Sequence, residues 1–247
     1  MVYVKRGCVL FVLMAMVFFF FQDASIAKNS ILNHTGTIKI TKPDGKVFMV
    51  MKGQSAPEIP AGSTIEVLNG SIEIEPSEGF FQVAIGGSAV TVGAGDMVIA
   101  GLDSETAMAD FEVITGQISI ITGNTTTLLN ANQEAWIGFD KRKGIVQVKS
   151  IKGTVETITV GVKALIPQGG IANINVDAKS RKVHVESVNG DIAVTSVSGK
   201  VIMLAMAKSI DTLGSAEGEI QTFEEVSKFE PVEEPPEPER PEGSPYA

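Results

Sequence analysis

The chain has 247 residues, 44% of them hydrophobic, enough to bury a core in one or two domains. Its formal charge of −9 is concentrated after residue 217, where glutamates far outnumber Lys228 and Arg240. The remainder is close to neutral and lacks the basic face that general nucleic-acid binding requires, and the single cysteine, Cys8, excludes an internal disulfide framework.

Residues 1–27 read as a secretory signal. Lys5 and Arg6 precede an apolar run over residues 7–21, short for a membrane span, and Ser25-Ile26-Ala27 offers small residues for cleavage after Ala27. Cleavage implies a periplasmic or secreted protein with no stable membrane insertion. Retention of the segment would make it a membrane anchor instead.

Residues 28–216 predict an all-β domain. Aromatics are only 6%, and Val, Ile, Thr and Gly carry the body, a composition that favours strands. Apolar runs of four to seven residues alternate with Gly, Asn, Asp and Pro turns, as at Pro43-Asp44-Gly45 between Ile38-Lys39-Ile40 and Val47-Phe48-Met49. A helical stripe is possible only over 203–210. One phrase dominates: period-2 alternation in Val183-His184-Val185-Glu186, then Asn189-Gly190, then Ile192-Ala193-Val194. Asn-Gly supplies the φ > 0 backbone of a tight turn. Comparable phrases surround Gly36, Gly70, Gly116 and Gly153, and the last intervals are about 37 residues. A unit of three or four short strands cannot close a core alone, so stacked units are expected, giving a β-roll or short β-solenoid with right-angled turns at glycines.

The Val183-to-Val194 phrase, together with Leu165-Ile166-Pro167-Gln168-Gly169-Gly170-Ile171-Ala172, resembles FecR-type domains. Lys52-Gly53-Gln54 and the segment from Pro60 to Ile65 are similar to that family's N-terminal portion, so the resemblance spans about residues 34–210. It implies an extracytoplasmic β-roll that senses or binds a partner. The family's sigma-factor regulators carry an anti-sigma domain ahead of a membrane span; here about six residues precede the apolar run, too few for a domain.

Residues 217–247 alternate prolines with glutamates. Proline fixes φ and removes a donor, and glutamates repel, so this tail is expected to be extended and disordered.

Little in the chain announces catalysis. His34 and His184 without a body cysteine make a poor transition-metal site, and no cofactor is expected. The Gly-x-Ser-x-Gly nucleophile motif is missing. Gly93-Ala94-Gly95 reads as a β-turn rather than a phosphate loop. Asp103, Glu105 and Asp110 lack the spacing of a calcium loop. Trp136 and Phe139 read as core or half-core, with a sugar-stacking platform as the sharper alternative. A polysaccharide-active β-helix enzyme would need clustered carboxylates with Lys or Arg on one sheet face, and no such cluster is legible along the strands. What stands out is a pair of basic segments about 37 residues apart, Lys141, Arg142, Lys143 and Lys179, Arg181, Lys182, each preceding an equivalent strand. Stacking would set them side by side as a candidate site for an anionic partner, an envelope protein or polysaccharide. The expectation is therefore a non-enzymatic envelope binding protein or scaffold.

Overall fold

The computed structural model describes residues 30–103, 105–177 and 179–214; the expected signal segment 1–27 and the expected disordered tail 217–247 lie outside the described residues. The all-β expectation holds. Among the described residues, twenty strands and no helix are found, and the strands form two open sheets. In spatial order the nine-stranded sheet contains β1 (Ser30–His34), β5 (Gly70–Glu75), β8 (Met97–Leu102), β9 (Ala109–Thr115), β12 (Glu134–Asp140), β13 (Ile145–Lys152), β16 (Ile171–Asp177), β17 (Lys182–Asn189) and β20 (Ser209–Leu213). The eleven-stranded sheet contains β19 (Val201–Leu204), β18 (Ile192–Thr195), β15 (Val162–Ile166), β14 (Val155–Thr159), β11 (Thr125–Asn130), β10 (Gln117–Thr122), β7 (Ser88–Gly93), β6 (Phe80–Ile85), β4 (Thr64–Val67), β2 (Ile38–Thr41) and β3 (Val47–Val50).

Period-2 alternation sets the inner faces. Ile118, Ile120 and Leu129 from one sheet join Phe111, Ile137 and Val148 from the other in a single buried cluster. Of the hydroxyls that fall on this inner face, Ser88 pairs with Thr122 at 2.6 Å and Thr125 with Thr159 at 2.9 Å, whereas Thr127 Oγ1 is buried without a partner. Pairing spares the desolvation cost of about 1–3 kcal/mol that an orphaned hydroxyl would carry.

From β6 onward the chain makes a hairpin in the eleven-stranded sheet, crosses, makes a hairpin in the nine-stranded sheet, and crosses back. The β6–β7, β10–β11 and β14–β15 hairpins alternate in this way with β8–β9, β12–β13 and β16–β17. All these hairpin tips lie at one end of the molecule, and the sheet-to-sheet crossings lie at the other. The ladders are antiparallel except β4 with β6.

Local features recur along this stretch at an interval of 37 residues. Register shifts fall at Met97/Val98, Glu134/Ala135 and Ile171/Ala172. Gly116, Gly153 and Gly190 each take φ near +80° at a crossing. These are corners between sheets, so Asn189-Gly190 does not close a hairpin: β17 and β18 belong to different sheets, and Gly190 alone has positive φ. Gly36 and Gly70 are not equivalent to them. Gly70 faces Leu102 at the hairpin end, and a Cβ on either glycine would collide with the 35–36 or Asn69 backbone and side chains. The ambiguous stretch over 203–210 is strand, turn and strand, not helix. Pro43-Asp44-Gly45 is a turn, closed by the Gly45 amide donating to Lys42 O at 2.9 Å.

Candidate functional site

The two basic segments are the tips of the β12–β13 and β16–β17 hairpins, and strand pairing makes these hairpins neighbours. β13 pairs with β16, with Ile145 opposite Asn175. With strands about 4.8 Å apart, the midlines of adjacent hairpins lie about 10 Å apart. Lys141, Arg142, Lys143, Lys179, Arg181 and Lys182 are all exposed at this rim. That separation slightly exceeds the Debye length of about 8 Å at physiological ionic strength, so the two tips are largely screened from each other there and share a field mainly at low salt.

Each tip is built by an aspartate. Asp140 Oδ1 accepts from the amides of Arg142 (3.0 Å) and Lys143 (3.2 Å). Asp177 Oδ1 accepts from the Lys179 and Ser180 amides, and its Oδ2 takes the Ser180 hydroxyl at 2.6 Å. The turn is then closed by a residue in the left-handed region, Gly144 (φ 65°) or Arg181 (φ 55°). The β8–β9 tip follows the same plan, with Asp103 accepting from Glu105 and Thr106 and Ala107 at φ 56°. It carries Glu105 where the others carry cations. The Ser180 hydroxyl and the tip amides hold the Asp177 carboxyl below its ordinary range, and the Glu105 and Thr106 amides do the same for Asp103. These aspartates offset part of the rim charge, Lys143 approaching Asp140 at 3.8 Å, but each tip still carries Lys141, Arg142 and Lys143 or Lys179, Arg181 and Lys182 against its one aspartate.

Near the cations a small cleft of about 70 Å³, of mixed polarity, opens between the sheets, with Asn124 and Thr125 among its lining. Phe139, Val146, Ile174 and Val176 line it under the Gly123 and Gly144 turns. The rim therefore offers positive charge beside a small cleft of mixed lining.

The other candidates are placed apart. Asp103 and Glu105 sit in a hairpin tip and Asp110 on the outer face of β9, so they do not converge. Among the described residues no group of three or more His, Cys, Asp or Glu could hold a metal ion. His34 bonds to the Gly36 and Gln54 carbonyls, and His184 lies on the polar side of β17, bonded to Asp211 at 2.6 Å. Gly93-Ala94-Gly95 is a turn at a crossing, closed by the Asp96 amide on Gly93 O. Phe139 packs against the core. Trp136 is half-buried on the outer face with the Lys149 ammonium 4.8 Å above its ring, so that face is not open for a sugar.

Sequence reasoning missed one cluster. The ladders place Asp110, Glu112 and Glu134 on adjacent strands of one outer face, near Lys149 and Lys152, contrary to the expectation that no carboxylates gather in the strands. Burial first, then the charges of Glu134 and Glu112, push the Asp110 carboxyl up to about 6. The Trp136 indole N–H, close to this carboxyl, opposes the rise without making a well-formed hydrogen bond to the buried Oδ1. Next to it a polar ladder crosses the sheet, Gln147 donating to Asn173 (2.9 Å) and Asn173 to Glu186 (2.9 Å). The signal was absent from the sequence because β9 and β12 are separated by another hairpin. The cleft lies at the hairpin end, away from these carboxylates.

No family model, curated protein or solved structure matches the chain. No described helix is long and apolar enough to cross a membrane.

Proposed function

We propose that this is a secreted or periplasmic, non-enzymatic binding protein that uses its hairpin end to hold an anionic polymer of the cell envelope, the body serving as a rigid scaffold. We further propose that the segments of four strands, one hairpin per sheet, are repeats of a roll-like architecture of the FecR type. The recurrence of bulges, corners and tips at one interval supports this reading. The observation that carries the function is the pairing of β13 with β16, which sets two lysine- and arginine-bearing tips next to each other.

Neither tip needs its cations to fold, since the β8–β9 tip keeps the same turn without them. A repeating anion such as a uronic-acid polymer matches two charged tips about 10 Å apart by bridging them. The test is binding of polygalacturonate to the full chain and to a variant with all six cations changed to Gln. The expected result is binding that weakens as salt rises and falls at least tenfold in the variant. Equal and salt-insensitive binding by both proteins would overturn the proposal.

A further inference from the structure

We infer that the acidic C-terminal tail docks on the basic hairpin end of its own chain and competes with external anions there; this rests on the hairpin end being a ligand site. The described chain ends at that rim. Leu213 is opposite Lys182 on β17, and the Gly214 amide donates to Arg181 O at 2.9 Å. Everything after residue 214 therefore starts at the β16–β17 tip. Residues 217–247 are the most acidic part of the sequence, with glutamates from Glu217 to Glu242 against only Lys228 and Arg240.

Reach is no obstacle. The adjacent tip carrying Lys141 and Lys143 is about 10 Å away, a distance spanned by about three extended residues. Tethering places the glutamates at an effective concentration in the mM range without any gain in intrinsic affinity. The acidic groups already at this end do not occupy the same role. Asp140 and Asp177 accept from their own tip amides, Asp211 is bonded to His184, and Glu105 lies on the β8–β9 tip. The tail also alternates charge with apolar side chains: Phe223, Val226 and Phe229 stand among Glu224, Glu225 and Glu230. That pattern suits a charged rim around a cleft lined by Phe139, Val146, Ile174 and Val176. A polysaccharide would satisfy the cations and leave the cleft unused.

The experiment is zero-length carbodiimide coupling of the full chain at low salt, followed by peptide mapping of the monomeric product. The reagent joins a carboxylate to an amine only where the two are in contact. The inference expects tail glutamates coupled to Lys141, Lys143, Lys179 or Lys182, with a yield that falls as salt rises. Coupling of these lysines only to Asp140 or Asp177, or coupling to the tail only between two chains, would overturn it. A second arm changes the tail glutamates to Gln and measures polygalacturonate binding. The competing tail predicts affinity tighter by about tenfold at low salt, and unchanged affinity would overturn competition. The coupling arm needs no external polymer, so the two readings fail separately. Tail coupling together with full binding by the six-Gln variant supports the tail contact and removes the proposed ligand site. Binding lost in that variant without tail coupling removes the tail contact alone.

Discussion

The β8–β9 tip and the β16–β17 tip are built on one backbone plan: an aspartate accepts two amide bonds and a left-handed residue closes the turn, Ala107 in one and Arg181 in the other. The surface charge differs, Glu105 against Lys179, Arg181 and Lys182. At the opposite end of the molecule the contrast disappears. Gly116, Gly153 and Gly190 stand at the three corners that lead from the nine-stranded to the eleven-stranded sheet, with nearly the same φ. These three crossings are held to glycine because a Cβ there meets neighbouring atoms as well as an unfavourable φ: Asp96 Oδ1 at Gly116, Gln133 Cγ at 3.1 Å at Gly153, and Gly170 Cα at 3.3 Å at Gly190; the return crossings are looser, with Asn132 (φ 65°) standing where Gly95 and Gly169 do. The tips need only their aspartates and one left-handed position, which leaves their remaining side chains to specify a partner.

The largest effects are expected at the corners. Gly153→Val and Gly190→Val should each cost about 1–3 kcal/mol, read as matching drops in melting temperature. Gly116→Val should cost at least as much, because the Asp96 carboxylate, which accepts from the Gly93 and Gln117 amides, must move. A silent Gly190→Val would break the contrast between the two ends.

Two changes of about 1 kcal/mol sharpen it. At the eleven-stranded sheet's tips Gly86 and Gly123 take φ near +55°, and Val160 takes φ 47° at the equivalent position. A β-branched residue is strained there, so Val160→Gly should stabilise the protein by about 1 kcal/mol despite the added freedom of the unfolded chain. Chemical denaturation of this variant decides it, and destabilisation would show that Val160 contributes more through its packing on Gly214 than it loses to strain.

Asp110 gives a pH signature. Its folded pKa, about 6, lies above the ordinary value of 3.8. Between those values the native state holds a proton that the unfolded state releases, so stability falls as pH rises from about 4 to 6. Asp110→Asn should remove that slope and raise stability at pH 7 by about 1 kcal/mol, the full shift being reduced because the side chain is partly solvated. Denaturation curves at pH 4 and pH 7 measure it. Asp103 and Asp177 act with the opposite sign. Their lowered pKa values stabilise the fold above about pH 4, and that contribution is lost as acid drives the pH down through the folded-state values.

The smallest stability effect is expected from the six cations. Changing Lys141, Arg142, Lys143, Lys179, Arg181 and Lys182 to Gln should alter the unfolding free energy by no more than about 0.5 kcal/mol, because exposed tip charges contribute little to folding. A larger loss of stability in the same melting experiment would mean that the charges belong to the architecture.

Much of this fold was legible in the sequence. Alternation assigned inner and outer faces, as in Ile118-Ser119-Ile120, and Pro43-Asp44-Gly45 announced its turn. The candidate site was half legible: the basic segments and their interval were visible, and their adjacency was expected from stacking. Other features were misread for a common reason. Asn189-Gly190 advertises positive φ, a property of one residue, and that property is shared by hairpins and corners. Some of the real tips use glycine, as at Gly144, but others place Ala107 and Arg181 in the left-handed region, residue types that give no such notice. Asp110, Glu112 and Glu134 were scattered in the sequence and became neighbours only through the β9–β12 ladder.

By itself, then, the sequence determined that residues 30–214 form short half-buried strands and which side of each strand is apolar, because both follow from the period of the chain over a few residues. The tertiary structure alone decided which strands pair. Antiparallel hairpins alternate between two open sheets, bringing the β12–β13 and β16–β17 tips together and setting Gly214, the last described residue, beside the second of them. Pairing is a competition among many equally alternating strands. It is settled by register, bulges and the closing of one shared core, none of which is a property of any short stretch of chain.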